Sequence, residues 1–152
     1  MNRLLAPVFL LSLLVAGLAG CASSSEIITR GLRIELTGIE RAADGTVAVS
    51  WRVQNPNIAP YLFARVSHKI FVNETLIGTT LDKEPMAAPA QAVASRTTKL
   101  TGNDAANRVL TDAMARGTAS YRVETQILLN IYDSTVEKSA LTNSGTVPVT
   151  AK

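Results

Sequence analysis

Val47-Ala48-Val49-Ser50-Trp51-Arg52-Val53-Gln54-Asn55-Pro56-Asn57 decides how this chain folds. Val47, Val49, Trp51 and Val53 alternate with Ala48, Ser50, Arg52 and Gln54. Successive side chains of a strand point to opposite faces, so a period of two predicts a strand with one apolar and one polar face. Asn55-Pro56-Asn57 then stops it. Proline has no N–H to give to a ladder and fixes its own φ, and asparagine bonds to nearby backbone and tolerates left-handed conformations. Trp51 has valines at i±2 and reads as a core residue rather than a ring for stacking a ligand.

The same period extends in both directions. Leu32, Ile34 and Leu36 alternate with Arg33, Glu35 and Thr37, and Asp44-Gly45 is a hairpin signal before the next run. A strand over about 64–73 puts Val66, His68, Ile70 and Val72 on one face. Asn73-Glu74 turns the chain into a strand over 75–81. Pro85 and Pro89 flank a loop rich in Met and Ala, after which 93–100 is again extended. One segment breaks the pattern: Ala106, Val109, Leu110, Ala113 and Met114 fall at i, i+3, i+4, i+7 and i+8, the spacing of an amphipathic helix. Asn103 is a suitable N-cap, Asp104 suits the positive end of the dipole, and Arg116-Gly117 is a C-terminal signal. A helix over 103–116 follows. Tyr121, Val123, Thr125, Ile127, Leu129 and Ile131 resume strand period, Asn143-Ser144-Gly145 reads as a turn, and 146–150 as a short last strand. The chain is therefore mainly β: a two-sheet sandwich of about seven short strands, with one α-helix covering an open end or a face.

In that order the elements resemble a known family. The strand ending in Asn55-Pro56-Asn57, the proline loop, the Thr-rich strand, the helix, the long strand and Gly145-Thr146-Val147-Pro148-Val149 are similar to the type-2 late-embryogenesis-abundant (LEA) domain. That domain is also called WHy, for water stress and hypersensitive response. The segments 49–57 and 117–132 carry the likeness best, and it covers roughly 30–150. The resemblance implies an immunoglobulin or fibronectin type III-like sandwich with one helix and an association with desiccation and stress tolerance. It implies no catalytic residues. Asn55, Pro56 and Asn57 are its motif and shape a turn.

The N-terminus carries a second signal. Arg3 precedes an apolar run from Leu4 to Leu18, and Leu18-Ala19-Gly20-Cys21 follows. A basic residue, an apolar stretch and small residues are the layout of an exported, cleaved signal, and the last four residues resemble a bacterial lipobox. The resemblance implies cleavage before Cys21, a lipid on its sulfur and acylation of the new amino group. An ordinary signal peptide or a membrane span are the alternatives, although about 15 apolar residues is short of the roughly 20 a span needs. The expected organisation is a signal peptide over 1–20, the lipidated cysteine and a tether over 21–30, and the sandwich over 31–150. Ala22 rather than an aspartate follows the cysteine. By analogy with two-membrane bacteria this implies the outer membrane, facing the periplasm.

Composition bounds the chemistry. Apolar residues make up 47% and charged ones 18%, which excludes a disordered, highly charged chain. Lysine and arginine number 15 against 12 acids, and loss of Arg3 with the signal lowers the net charge from +3 to +2. The charges are scattered, so no nucleic-acid footprint is present. Cys21 is the only cysteine and His68 the only histidine, which leaves no thiol nucleophile and no histidine-based metal cluster. His68 reads as a core or edge histidine with a hydrogen-bond partner. No phosphate-binding glycine loop and no Gly-x-Ser-x-Gly elbow occurs. Asp82, Glu84, Glu124, Asp133 and Glu137 are scattered, with nothing marking a pair, and Ser23 to Ser25 belong to the tether.

The sequence thus leads to a membrane-anchored, non-enzymatic protein without cofactor or metal, its partners the membrane through Cys21 and proteins of the envelope. An adaptor for one specific partner, or a carrier of an apolar ligand, are the alternatives. Two or more acyl chains hold stably where one is marginal. Cys21→Ala is therefore expected to abolish lipid labelling and leave the chain uncleaved or soluble, which palmitate incorporation and membrane fractionation check.

Overall fold

The computed structural model describes residues 29–131 and 135–152. The expected signal peptide and Cys21 lie outside the described residues. The described chain forms β1 (Arg33–Arg41), β2 (Val47–Asn55), β3 (Tyr61–Val72), β4 (Thr75–Asp82), β5 (Met86–Ala88), β6 (Ala92–Lys99), β7 (Thr101–Gly102), α1 (Asp104–Arg116), β8 (Thr118–Ile131) and β9 (Thr135–Ala151). The hydrogen-bonded order is β6-β2-β1-β9-β8-β3-β4-β7, with β5 beside β3. This is a β-rich fold with a single helix among the described residues, as the patterning predicts, but with nine strands rather than about seven.

The sheet is curled so that its two halves face each other. The β6-β2-β1 half points Val49, Trp51 and Val53 inward. The β8-β3-β4 half answers with Val66, Ile70, Ile77, Val123 and Ile127, all buried. The Trp51 and His68 rings meet across the gap, with centroids 4.7 Å apart and planes at 69°. β9 joins the halves along one side. It pairs antiparallel with β8 from Thr135 to Pro148 and parallel with β1 at Ile39↔Val149, Glu40↔Thr150 and Arg41↔Ala151. On the other side Arg96 of β6 reaches Asp82 of β4 at 2.6 Å. Hydrogen bonding thus closes one flank, and an ion pair closes the other.

Two bulges let imperfect alternation fill one core. The β1–β2 register shifts between Leu36 and Gly38. One extra residue moves every later side chain to the other face, so Ile39 joins Leu32, Ile34 and Leu36 in the interior. A shift between Phe63 and Arg65 does the same for Phe63 ahead of Val66, His68 and Ile70.

The helix has the bounds its caps predict. The Asn103 side chain accepts from the Ala106 N–H at 3.1 Å and donates to the Leu76 carbonyl at 2.8 Å. Gly117 terminates α1 at φ 75°, its N–H returning to Met114. Ala106, Leu110 and Ala113 are buried, and α1 packs on β4, β8 and β9.

Two expectations are corrected. Asn143-Ser144-Gly145 is not a turn but the middle of β9, so the short last strand is the end of a 17-residue one. The Asn143 amide donates to the Ile34 carbonyl at 2.9 Å. Gly145 lies opposite Tyr121, whose ring would come within 3.1 Å of a Cβ there. Polar and glycine residues that usually mark turns are held extended by these partners. The Met86-Ala87-Ala88 loop is also a strand, β5, which pairs with Tyr61–Phe63 and is kept to three residues between Pro85 and Pro89.

Gly78 pairs with Gly102 where α1 is about to begin. Its φ is 153°, and a Cβ there would lie 2.9 Å from the Gly102 Cα and closer still to the Thr101 carbonyl. Gly117 has nothing within 4 Å, so a side chain there meets only the cost of the left-handed backbone, about 1 kcal/mol. Gly78→Ala is accordingly expected to destabilise the domain clearly more than Gly117→Ala. Urea denaturation of the two variants checks the order.

Candidate functional site

Asn55 sits at the end of β2 and is buried. Its side-chain N–H groups donate to the carbonyls of Ala59 at 2.9 Å, Ala88 at 3.0 Å and Pro89 at 3.0 Å. Its amide oxygen accepts from the Asn57 N–H at 3.0 Å. Two hydrogens shared among three carbonyls tie β2 to the β2–β3 loop and to both the end of β5 and the loop after it. Asn57 extends the knot: its side chain donates to the Arg30 carbonyl at 3.2 Å, and its carbonyl accepts from the Gln91 N–H at 3.0 Å. Pro56 lies between them, exposed, with its ring near Gly31. The three residues thus organise the end of the sandwich at which the N-terminal segment enters.

A row of polar side chains crosses the interior. Thr80 of β4, His68 of β3 and Thr125 of β8 occupy paired positions and are each about 2% exposed. His68 Nδ1 lies 2.8 Å from the Thr125 hydroxyl. An imidazole beside a hydroxyl is one geometry of an activated nucleophile; here both side chains are buried, with the His68 ring against the Trp51 ring. Trp51 Nε1, His68 Nε2 and the Thr80 hydroxyl have no hydrogen-bond partner among the described residues. Burial pushes the His68 pKa down from 6.5 to about 4, with the Asp82 carboxylate opposing the shift. The imidazole is therefore neutral near pH 7.

The remaining candidate acids are engaged locally. Asp82 holds Arg96 and also accepts from the Glu84 N–H at 3.0 Å. Arg96 donates further to the Glu84 and Pro85 carbonyls. Glu124 pairs with Arg122, whose guanidinium lies 3.8 Å from the Phe71 ring centroid and 3.7 Å from Glu74. Asp133 and the Glu137 side chain, like Ser23 to Ser25, lie outside the described residues. Among the described residues no cluster of three or more His, Cys, Asp or Glu could hold a metal ion.

Among the described residues a broad hollow of about 400 Å³ opens on the outer face of β3, β4, β8 and β9. Leu81, Ser67, Gln126 and Ala140 form one row across the strands there, with Lys69 beside it. It is a dent in a curved sheet, and the buried His68–Thr125 pair behind it belongs to the opposite face.

Sequence reasoning singled out Asn55, Pro56, Asn57, Trp51 and His68, and the structure brings the first three together and stacks the last two. It missed the Asp82–Arg96 clasp, because nothing local links residues on separate strands. It also missed the exposed apolar residues around Asn55, for which the available signal is the lack of any charge in 53–64 and 85–95.

No protein-family model matches the chain, and no curated protein matches it. Solved structures do. The protein AT1g01470 from Arabidopsis thaliana aligns with a TM-score of 0.52 at 11% identity, over 79% of each chain. A protein from Archaeoglobus fulgidus aligns at 0.45 and 13% identity, over 78% of this chain and 95% of that one. A putative late embryogenesis abundant protein, At2g46140.1, aligns at 0.43 and 9% identity, over 95% of this chain and 86% of its own. The likeness to AT1g01470 is one of fold.

Two outcomes follow from the knot and the buried row. Asn55→Ala leaves three carbonyls without their donor and is expected to cost about 2–4 kcal/mol, given about 1–3 kcal/mol for each buried group left unsatisfied. Asn55→Asp is expected to cost at least as much, since a carboxylate cannot donate to them; denaturant midpoints check both. His68 has a folded pKa below its unfolded value, so between pH 4 and 6.5 the unfolded chain binds more protons and stability rises with pH. Its contribution, about 3 kcal/mol, is complete above about pH 6.5 and is lost as pH falls toward 4. Melting curves across that range are expected to show the loss in the parent and a smaller one in His68→Phe.

Proposed function

We propose that this chain is a lipid-anchored, non-enzymatic protein of the bacterial envelope that protects other envelope proteins during drying or related stress. The observation that carries the reading is Leu18-Ala19-Gly20-Cys21, a lipobox-like stretch placed eight residues before the first described residue of a sandwich. The resemblance of 30–150 to the WHy domain supplies the link to water stress; with AT1g01470 the chain shares a fold. The distribution of polar groups supports a non-catalytic role. The histidine and its hydroxyl partner are sealed in the core, and Asp82 and Glu124 are held by arginines. Among the described residues no helix is long and apolar enough to cross a bilayer; in this reading the attachment is the lipid on Cys21.

Protection by a folded domain works through surface contacts that occupy exposed apolar patches of a client. Such contacts are weak and numerous, so near-stoichiometric amounts are needed. A second reading, an adaptor holding one partner, is favoured by β6. It ends the strand order and pairs only with β2 among the described strands, which leaves an edge able to accept another strand.

The lipidated protein is expected to reduce aggregation of a labile enzyme through freezing or drying more than albumin at equal mass. Crosslinking from membranes before and after drying separates the readings. Many diffuse clients favour protection. One stoichiometric partner, with protection no better than albumin's, replaces it with the adaptor.

A further inference from the structure

The N-terminal segment enters the sandwich at one end, and that end is unlike the rest of the surface. β1 begins there, β2 ends there, β3 starts there, and β5 and the start of β6 lie alongside. The Asn57 bonds to Arg30 and Gln91 hold the entering chain and both loops against one another. Residues 53–64 and 85–95, which supply these loops, contain no charged side chain. Arg52 and Arg65 bracket the first, and Glu84 and Arg96 the second, while exposed Arg30 and Arg33 lie beside them on the entering chain. Ile58 is 88% exposed, Leu62 44% and Val93 53%. Of the other exposed large apolar residues described, Leu76 lies at the opposite end beside α1, and Leu81 lies on the outer face of β4.

We propose that this end, with its two uncharged loops, is a membrane-seating surface, in which Ile58, with Leu62 and Val93 on neighbouring strand ends, dips into the interfacial layer of the bilayer that holds the anchor. The inference rests on the anchored reading of Cys21. Cys21 lies eight residues before Thr29, a span of at most about 28 Å when fully extended. The anchored chain therefore leads to the apolar end and keeps it within reach of the lipid surface, while α1 and the β1–β2 hairpin face away. An exposed apolar tip held beside a bilayer loses its hydration cost by entering the interface. Uncharged loops carry no charge to be desolvated when they do so. A protein partner at this end would have to enter the gap already spanned by the tether, whereas the lipid is there by construction. The tip also gives the anchored domain a fixed orientation, with the β6 edge and the outer hollow held sideways to the membrane plane.

The test uses the full-length lipidated protein in vesicles of phosphatidylethanolamine and phosphatidylglycerol. Ile58→Cys, Val93→Cys and, as a control in the β1–β2 loop, Ala43→Cys each receive a polarity-sensitive fluorophore. A lipidated Cys21 is a thioether and takes no label. Each variant is first shown to melt like the parent, and Val93→Cys serves should Ile58→Cys fail to fold. The expected result is blue-shifted emission at Ile58 or Val93, quenched several-fold more by brominated lipid than at Ala43 and unchanged by high salt. Membrane-bound protein whose tip label is as water-exposed as the control overturns the seating and leaves the anchor standing. Labelling of Cys21 itself, with release of the protein on washing, overturns the anchor and the seating with it.

Discussion

Asn55 holds the two halves of the sandwich in register at one end. A single buried amide supplies three carbonyls, two in loops and one at the end of β5, that would otherwise lack this donor. Buried backbone groups must be paired, so a loop can cross the end of a sandwich only if something gives it hydrogen bonds. Leucine in its place would fill the volume and leave the carbonyls bare. The following Pro56 keeps β2 from continuing, and Asn57 hands the same end of the molecule to the N-terminal segment. The geometry of both uncharged loops, and so the display of Ile58, depends on this knot.

The rest of the fold is a curled sheet closed by different physics on its two flanks. On one, β9 is long enough to serve both halves, so backbone hydrogen bonds run across the join without a sheet edge. On the other, β4 and β6 meet through Asp82 and Arg96, partly buried and further fixed by the Glu84 and Pro85 carbonyls. A charge-assisted bond of this kind gives geometric specificity beyond its net energy. The polar row of Thr80, His68 and Thr125 lies behind it. These groups cost stability when buried with incomplete partners, and the neutral imidazole is the form that the interior accepts.

Function follows from what such a scaffold leaves outside. Among the described residues His68 and Thr125 are turned inward and Asp82 and Glu124 are held by arginines, and the surface offers a shallow dent, a strand edge and a tip with uncharged loops. On the proposed reading, a short tether would orient these features, because it would limit which of them can face a membrane and which a client.

The sequence by itself determined whatever depends on a few neighbouring residues. The bounds of α1 were legible because Asn103 and Gly117 act on backbone groups within one turn. The face of β2 was legible because its alternation is unbroken from Val47 to Val53. The role of Asn55-Pro56-Asn57 as a terminator was legible, but its three carbonyl partners were not. Only the tertiary structure decided that Asn143-Ser144-Gly145 stays extended, since the amide that holds it bonds to Ile34 across 109 residues and the glycine accommodates the Tyr121 ring. It also decided that β5 is a strand, that bulges carry Ile39 and Phe63 into the core, and that β9 joins β1 in parallel. Turn propensity and periodicity describe what a segment prefers alone. A polar residue whose hydrogen bonds come from a distant strand has no local signal to give, and the partner across the sheet overrides the preference.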